Sequence, residues 1–216
     1  MRAALLSAVY ANYDSLKPVL PQLGADVDWV VVTDDPALAA AGWRVVYEPR
    51  PGTHPNRAAK TPKMLPWRYT DAPASVWVDA SYQVVSATFV RDVVIRAHPV
   101  AQWGHPWRGC IYDEAEASAG IPKYAGEPIA EQVAAYRERG HPTGWGLWAT
   151  GVIARRHDDP RVRELGERWL EHCYRWSFQD QLSEPVLLRE LGLRPSALPG
   201  THLANPWLAY QGSERH

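Results

Sequence analysis

Short apolar runs rich in β-branched residues, each closed by a polar turn, recur through the first half of this chain and set its fold class. They are Ala3–Val9, Trp29–Thr33, Trp43–Tyr47 and Ser75–Asp79, each of a length that suits a buried strand. Between them lie Asp14–Leu23 and Pro36–Ala41, where helix-compatible residues follow Asp or Pro starts. That alternation predicts an α/β fold with a mainly parallel central sheet flanked by helices. Further helices are expected over Thr88–Ala97, over Pro128–Arg139 with Ile129, Val133 and Tyr136 on one face, over Pro160–Trp176, and over about Asp180–Leu191 with Gly192 as its terminator. Gly146–Arg155 reads as one more strand. Pro49–Pro66, with five prolines, reads mostly as loop, and Arg194–His216 as an irregular tail.

The 216 residues suffice for one substantial core, and neither an internal repeat nor a polar linker divides them, so residues 1–216 are expected to form a single domain. A net charge of −1 gives no global basic field for a polyanion. No run approaches the roughly 20 apolar residues of a membrane span, and the apolar start, Met1–Val9, suits a first strand better than a secretory signal. Cys110 and Cys173 are the only cysteines; they form no disulfide framework, and a reducing cytoplasm is the default. Eleven Trp against two Phe is unusual. An indole offers a flat face to a sugar or base, although core filling accounts for many of them.

Ligands of an open α/β sheet bind beyond the carboxyl ends of its strands. The polar residues there are Tyr10-Ala11-Asn12-Tyr13-Asp14, Thr33-Asp34-Asp35, Asp79-Ala80-Ser81 and Thr150-Gly151. Asp34 and Asp35 can accept hydrogen bonds from a base or ribose, or Asp35 can cap the segment that follows. Asp79 offers an oxygen ligand to a hard cation, or simply forms a turn. Arg57, Lys60 and Lys63 can meet a diphosphate. Asp180 and Gln181 fall in the first turn of a helix, where capping alone would explain the carboxylate.

The order of these pieces resembles the GT-A class of nucleotide-sugar glycosyltransferases, in particular its glycogenin-like and galactosyltransferase-like retaining members. It is more similar still to a glycosyltransferase-like family of plant and bacterial proteins, some linked to cell-wall mucilage. Seven short segments carry the likeness between Tyr10 and Leu191: Tyr10–Asp14, Thr33–Asp35, Lys60–Lys63, Trp77–Ser81, Ile111–Ala115, Arg155–His157 and Asp180–Ser183. The resemblance implies a GT-A (nucleotide-diphospho-sugar transferase) fold. It also implies base and ribose contacts from Tyr10, Asn12, Asp34 and Asp35, and an Asp-x-Asp-like metal element at Asp79-Ala80-Ser81. Ser81 there replaces the second carboxylate. Ala149-Thr150-Gly151 and Asp180-Gln181 would face the transferred sugar, and His202 would complete the shell of Mn²⁺ or Mg²⁺, although the glycine and lysine that usually follow this His are absent.

The implied activity is transfer of a sugar from a nucleotide-diphosphate donor, a UDP-sugar first, to a hydroxyl acceptor, with a lean toward retention. Donor contacts fall to Tyr10, Asn12, Asp34, Asp35, Arg57, Lys60, Lys63, Asp79, Ser81, Thr150 and Gly151; catalytic positioning to Asp180 and Gln181; and metal binding to Asp79 and His202. The acceptor is a glycan or small metabolite, or else a hydroxylated DNA base. Two aromatic loops, Trp103–Arg108 and His141–Trp145, are candidates to stack it or to pack on the core. The rival class is a non-catalytic nucleotide-sugar or glycan-binding module, which the Asp79-x-Ser81 departure keeps open. A hydrolase acting on lipid amides lacks support, since the chain has neither a His-x-x-x-His pair nor a Gly-x-Ser-x-Gly elbow.

Overall fold

The computed structural model describes residues 1–212. Four strands form where the apolar runs lie: β1 (Arg2–Val9), β2 (Asp26–Thr33), β3 (Arg44–Tyr47) and β4 (Ala74–Val78). After β5 (Tyr82–Val84) come helix α3 (Phe89–Arg96), β6 (Val100–Gly104), α4 (Ile111–Ala119) and α5 (Ile129–Glu138). Strand β7 (Trp148–Arg156), helices α6 (Pro160–Arg175) and α7 (Asp180–Glu190), and short strands β8 (Ser196–Ala197) and β9 (Leu208–Tyr210) complete the order. Two short helices, α1 (Pro55–Ala58) and α2 (Lys60–Met64), occupy the proline-rich stretch expected to be loop. His54 caps α1 by accepting from the Asn56 amide, and Pro55 stands at its first position, where a missing N–H costs nothing.

The main sheet runs β3-β2-β1-β4-β7-β6-β8. Pairings are parallel except where β7 meets β4 and β6. It is therefore a mostly parallel sheet with one inverted strand. Alternate residues supply two cores, as a period of two requires. Ala3, Leu5, Val76, Val78, Val152 and Ala154 face α3 and Trp207. Ala4, Leu6, Val30, Val32, Trp77 and Ile153 face Met64 of α2 and the buried sides of α6 and α7.

The two early helices expected over Asp14–Leu23 and Pro36–Ala41 do not form. Pro18 and Pro21 remove two donors and push Lys17 and Leu20 toward extended backbone. Residues 16–22 instead run as an irregular segment, with Val19 and Leu20 packed on the core. It is fixed by the Trp43 indole donating to the Lys17 carbonyl (3.1 Å). At Pro36–Ala41, Asp35 caps a turn through the Ala37 amide (2.8 Å), and Gly42 at φ 81° ends the segment before a helix can propagate.

Candidate active site

Inversion of β7 shapes the site. Strands β1, β4 and β6 point their carboxyl ends at one edge of the sheet, and β7 brings its amino end, Trp148 to Gly151, to the same edge. A cavity of about 310 Å³ opens there, the usual place for a ligand on such a sheet.

Its floor is a buried charge cluster. Lys60 and Lys63, three apart on α2, share one face, and each places its ammonium 2.7 Å from Asp180 Oδ2. The Thr150 hydroxyl donates to Asp180 Oδ1 at 2.7 Å. The Asp180 side chain is only 4% exposed. Burial alone would raise its pKa, but the two lysines outweigh it and hold the carboxyl far below the ordinary range. Burial likewise pulls Lys63 down, while Asp180 and Asp79 leave it raised. Lys63 also stands 3.6 Å from Asp79 Oδ1, and the buried Arg155 guanidinium donates to the Lys63 carbonyl, fixing α2 from beneath. Asp180 is thus an anionic anchor that aims two cations into the cavity.

Asp79 follows β4 and extends the ladder by donating its amide to the Gly151 carbonyl (2.8 Å). Its Oδ1 accepts from the Trp77 indole (2.5 Å), and its side chain is 40% exposed on the cavity wall. Gly151 is needed for close approach: a Cβ there would lie 2.9 Å from Tyr82 Cε2 and 3.3 Å from Asp79 Oδ2. Ser81 and His202 line the same wall, and His202 Nδ1 is buried without a hydrogen-bond partner. Gln181 lines it too, its amide tied to the Trp148 carbonyl (2.9 Å). Tyr10 closes the β1 side, donating to Glu48 (3.3 Å).

Ten of the sequence-derived site residues therefore meet in one cavity, and four do not line it. Asp34 accepts from the Ala11 amide (2.8 Å) and pairs with Arg50 (2.6 Å). It braces the turn after β1, where Ala11 and Asn12 sit at φ 54° and 52°, a conformation that needs such support. Asn12 is exposed on that turn, and Asp35 is spent on its own cap. Arg57 is engaged outside the cavity: its Nη2 contacts both Glu127 oxygens (2.9 and 2.7 Å), and the guanidinium also reaches the Cys173 and Trp176 carbonyls. Of the two aromatic loops, His141–Trp145 turns its aromatic ends inward, His141 buried and Trp145 against Trp148, while Trp107 of the other reaches the cavity.

Sequence reasoning missed Lys123, Tyr124 and Tyr82, which also line the cavity. Lys123 lies in a Pro-Lys-Tyr turn between Gly120 and Gly126, a loop signal with no motif attached; near Lys60 and Lys63, its pKa is lowered by burial and by their charge.

Asp79 and His202, the latter with its Nδ1 unpartnered, both line the cavity. No group of three or more His, Cys, Asp or Glu side chains able to hold a metal occurs among the described residues. The lining charges balance, with Lys60, Lys63 and Lys123 against Asp14, Asp79 and Asp180. No helix among the described residues is long and apolar enough to cross a membrane.

No curated protein matches this chain. The family model described as TOD1/MUCI70, glycosyltransferase-like domain, matches residues 30–150, more than half of the 216 and including Lys60, Lys63, Asp79 and Thr150. The chain belongs to the TOD1/MUCI70 glycosyltransferase-like family.

Proposed function

We propose that this chain is a glycosyltransferase that moves a sugar from a nucleotide-diphosphate donor, a UDP-sugar first, to a hydroxyl acceptor, on a GT-A-type fold. The observation that carries this reading is the convergence of Lys60 and Lys63 on Asp180 beside Asp79, at the carboxyl edge of a mostly parallel sheet. Two preorganised cations there can stabilise a departing diphosphate as its charge grows. Because the cavity's own charges balance, a diphosphate brings negative charge that a divalent ion would offset. Asp79 and His202 would hold Mn²⁺ or Mg²⁺, which when bound would supply that Lewis-acid stabilisation. Tyr10 closes the nucleoside end, while Thr150, Gly151 and Gln181 border the sugar.

Asp180 carries three hydrogen bonds from the protein and has little affinity for a proton, so it is a poor general base. This supports retention. The acceptor oxygen bonds to the anomeric carbon as the bond to the phosphate oxygen breaks, and the acceptor's proton passes to that departing oxygen. Free, buried Cys110 and Cys173 are in keeping with a cytoplasmic site of action. Ser81, in place of a second carboxylate, favours one other reading, a nucleotide-sugar-binding module without turnover.

A thermal-shift screen against UDP-, GDP-, ADP- and CMP-linked sugars, with and without Mn²⁺, tests donor binding. A shift with one donor that is lost in Asp79→Ala supports the proposal, and no shift with any donor overturns it.

A further inference from the structure

Part of the cavity wall is aromatic. Tyr82 on β5, Tyr210 on β9, His202 and Trp107 come from separate segments and meet there. Tyr82 packs on Tyr210 (5.2 Å between centroids) and on His202 (6.3 Å), and His202 in turn on Trp107 (6.5 Å). Trp107 is the outermost of them and 69% exposed, the most exposed large apolar side chain among the described residues.

Such exposure of an indole would ordinarily mean a mobile surface side chain, yet its loop is built to be rigid. His105 Nδ1 accepts from the Trp107 and Arg108 amides (3.4 and 3.1 Å), which sets the turn. His105 Nε2 faces the buried Glu114 at 3.7 Å, and Glu114 also takes the Arg108 guanidinium and the Gln179 amide (2.9 Å). Gln179 directly precedes Asp180. One buried carboxylate therefore ties the Trp107 loop to the start of the helix that holds the charge cluster.

We infer that Trp107 is the stacking platform for a pyranose ring of the acceptor, placed on the rim of the cavity that Lys60 and Lys63 also line; this rests on the transferase reading. Three observations select a saccharide. Trp107 meets both imidazoles edge-to-face, at 75° and 84°, and Tyr82 meets His202 at 75°. The rim thus offers the single exposed indole face of Trp107, which the C–H side of a pyranose can cover. Arg108, the cation nearest in sequence, is paired with Glu114 and so is not offered to a phosphate backbone. The wall also leads into the cavity beside Asp79 and Gln181, so a ring resting on Trp107 can direct a hydroxyl toward the donor sugar.

The test is the indole N–H resonance of Trp107 in two-dimensional ¹H–¹⁵N spectra, identified as the signal absent from Trp107→Phe. It is titrated with methyl pyranosides of glucose, galactose, mannose and xylose, with their β-linked disaccharides, and with 5-hydroxymethyl-2′-deoxycytidine. The expected result is a saturable shift with at least one saccharide and none with the nucleoside. Trp107→Ala weakens that saccharide by about tenfold, as loss of one stacking face implies, and Trp107→Tyr restores most of the affinity. Persistence of the other indole signals shows that Trp107→Ala is folded. A response to the nucleoside alone, no response to any saccharide, or equal saccharide affinity in Trp107→Ala overturns the inference. The nucleotide-sugar thermal shift of the unaltered protein separates the two failures. With that shift present and no saccharide on Trp107, only the platform is wrong. With saccharide on Trp107 and no nucleotide-sugar shift, the transferase reading is wrong and the platform stands as a glycan-binding surface.

Discussion

Lys63 and Asp180 form a buried ion pair, Nζ to Oδ2 2.7 Å, with each side chain 4% exposed. Breaking such a pair from one side leaves an uncompensated charge out of water, at a cost of about 3–5 kcal/mol. The two sides are unequal, because Asp180 holds two ammonium groups, Lys60 as well as Lys63, while Lys63 meets besides Asp180 the more distant Asp79 carboxylate and the Trp77 ring. Asp180→Asn, which strands two ammonium groups, is expected to lose the full amount in urea denaturation, and Lys63→Met less. Equal or negligible losses would contradict the pairing described.

The strands could be read as nearly uninterrupted apolar runs closed by polar turns, and the long helices by the spacing of their buried face: β1, β2, β4, α5 and α6 all lie within a few residues of where these signals put them. The segment from Asp14 to Leu23 misled because its apolar residues are helix-compatible while Pro18 and Pro21 forbid the helix, and the prolines are the stronger constraint. At α1 and α2 the reverse held. Pro55 starts a helix there, and the prolines read as breakers. Within the site, the strand-end residues were legible because sheet topology dictates where they emerge. Arg57 was not, because its partner Glu127 lies 70 residues away and only tertiary structure brings the two together. Trp107 was legible as an aromatic loop residue, but not as the rim of this cavity.

Arg57 and Glu127 give a second prediction. Glu127 also accepts from the Phe178 amide (2.9 Å), so the pair ties α1 to the approach to α7. Arg57→Met is expected to lower stability by about 1–3 kcal/mol through the unsatisfied Glu127 while leaving the donor concentration at half-saturation unchanged. A tenfold rise in that concentration without a change in melting temperature would place Arg57 on the donor instead.

Gly151→Ala puts a methyl group 2.9 Å from Tyr82 Cε2 and 3.3 Å from Asp79 Oδ2. Overpacking of this kind costs about 1–3 kcal/mol, and here it displaces Asp79 or Tyr82. Donor affinity measured by calorimetry should fall, and a variant that binds as the unaltered protein does would show that the close approach has no part in binding.

Stability should fall with acid because of buried histidines. His157 bonds Ser75 Oγ (2.8 Å) and the Ala72 carbonyl (2.9 Å), and burial first, then Arg155, lowers its pKa to about 4; burial likewise brings His141 and His172 to about 4. The folded state binds the proton less tightly than the unfolded chain, whose histidines titrate near 6.5. Their contribution is therefore complete above about pH 6.5 and is lost as pH falls toward 4, by up to about 1.4 kcal/mol per pH unit for each histidine. Urea midpoints at pH 7.5, 6 and 5 should decline in that order, and His157→Gln should flatten the slope. A midpoint unchanged down to pH 5 would contradict the buried neutral imidazoles.

The most direct test of the central claim is release of nucleoside diphosphate from a panel of nucleotide sugars in the presence of Mn²⁺ and a pyranoside acceptor, with Lys63→Met in parallel. Release from one donor above the protein-free rate is expected, reduced at least about 100-fold in Lys63→Met, because a preorganised charge facing the leaving group is removed. Release that survives unchanged in Lys63→Met, or no release from any donor, would contradict it.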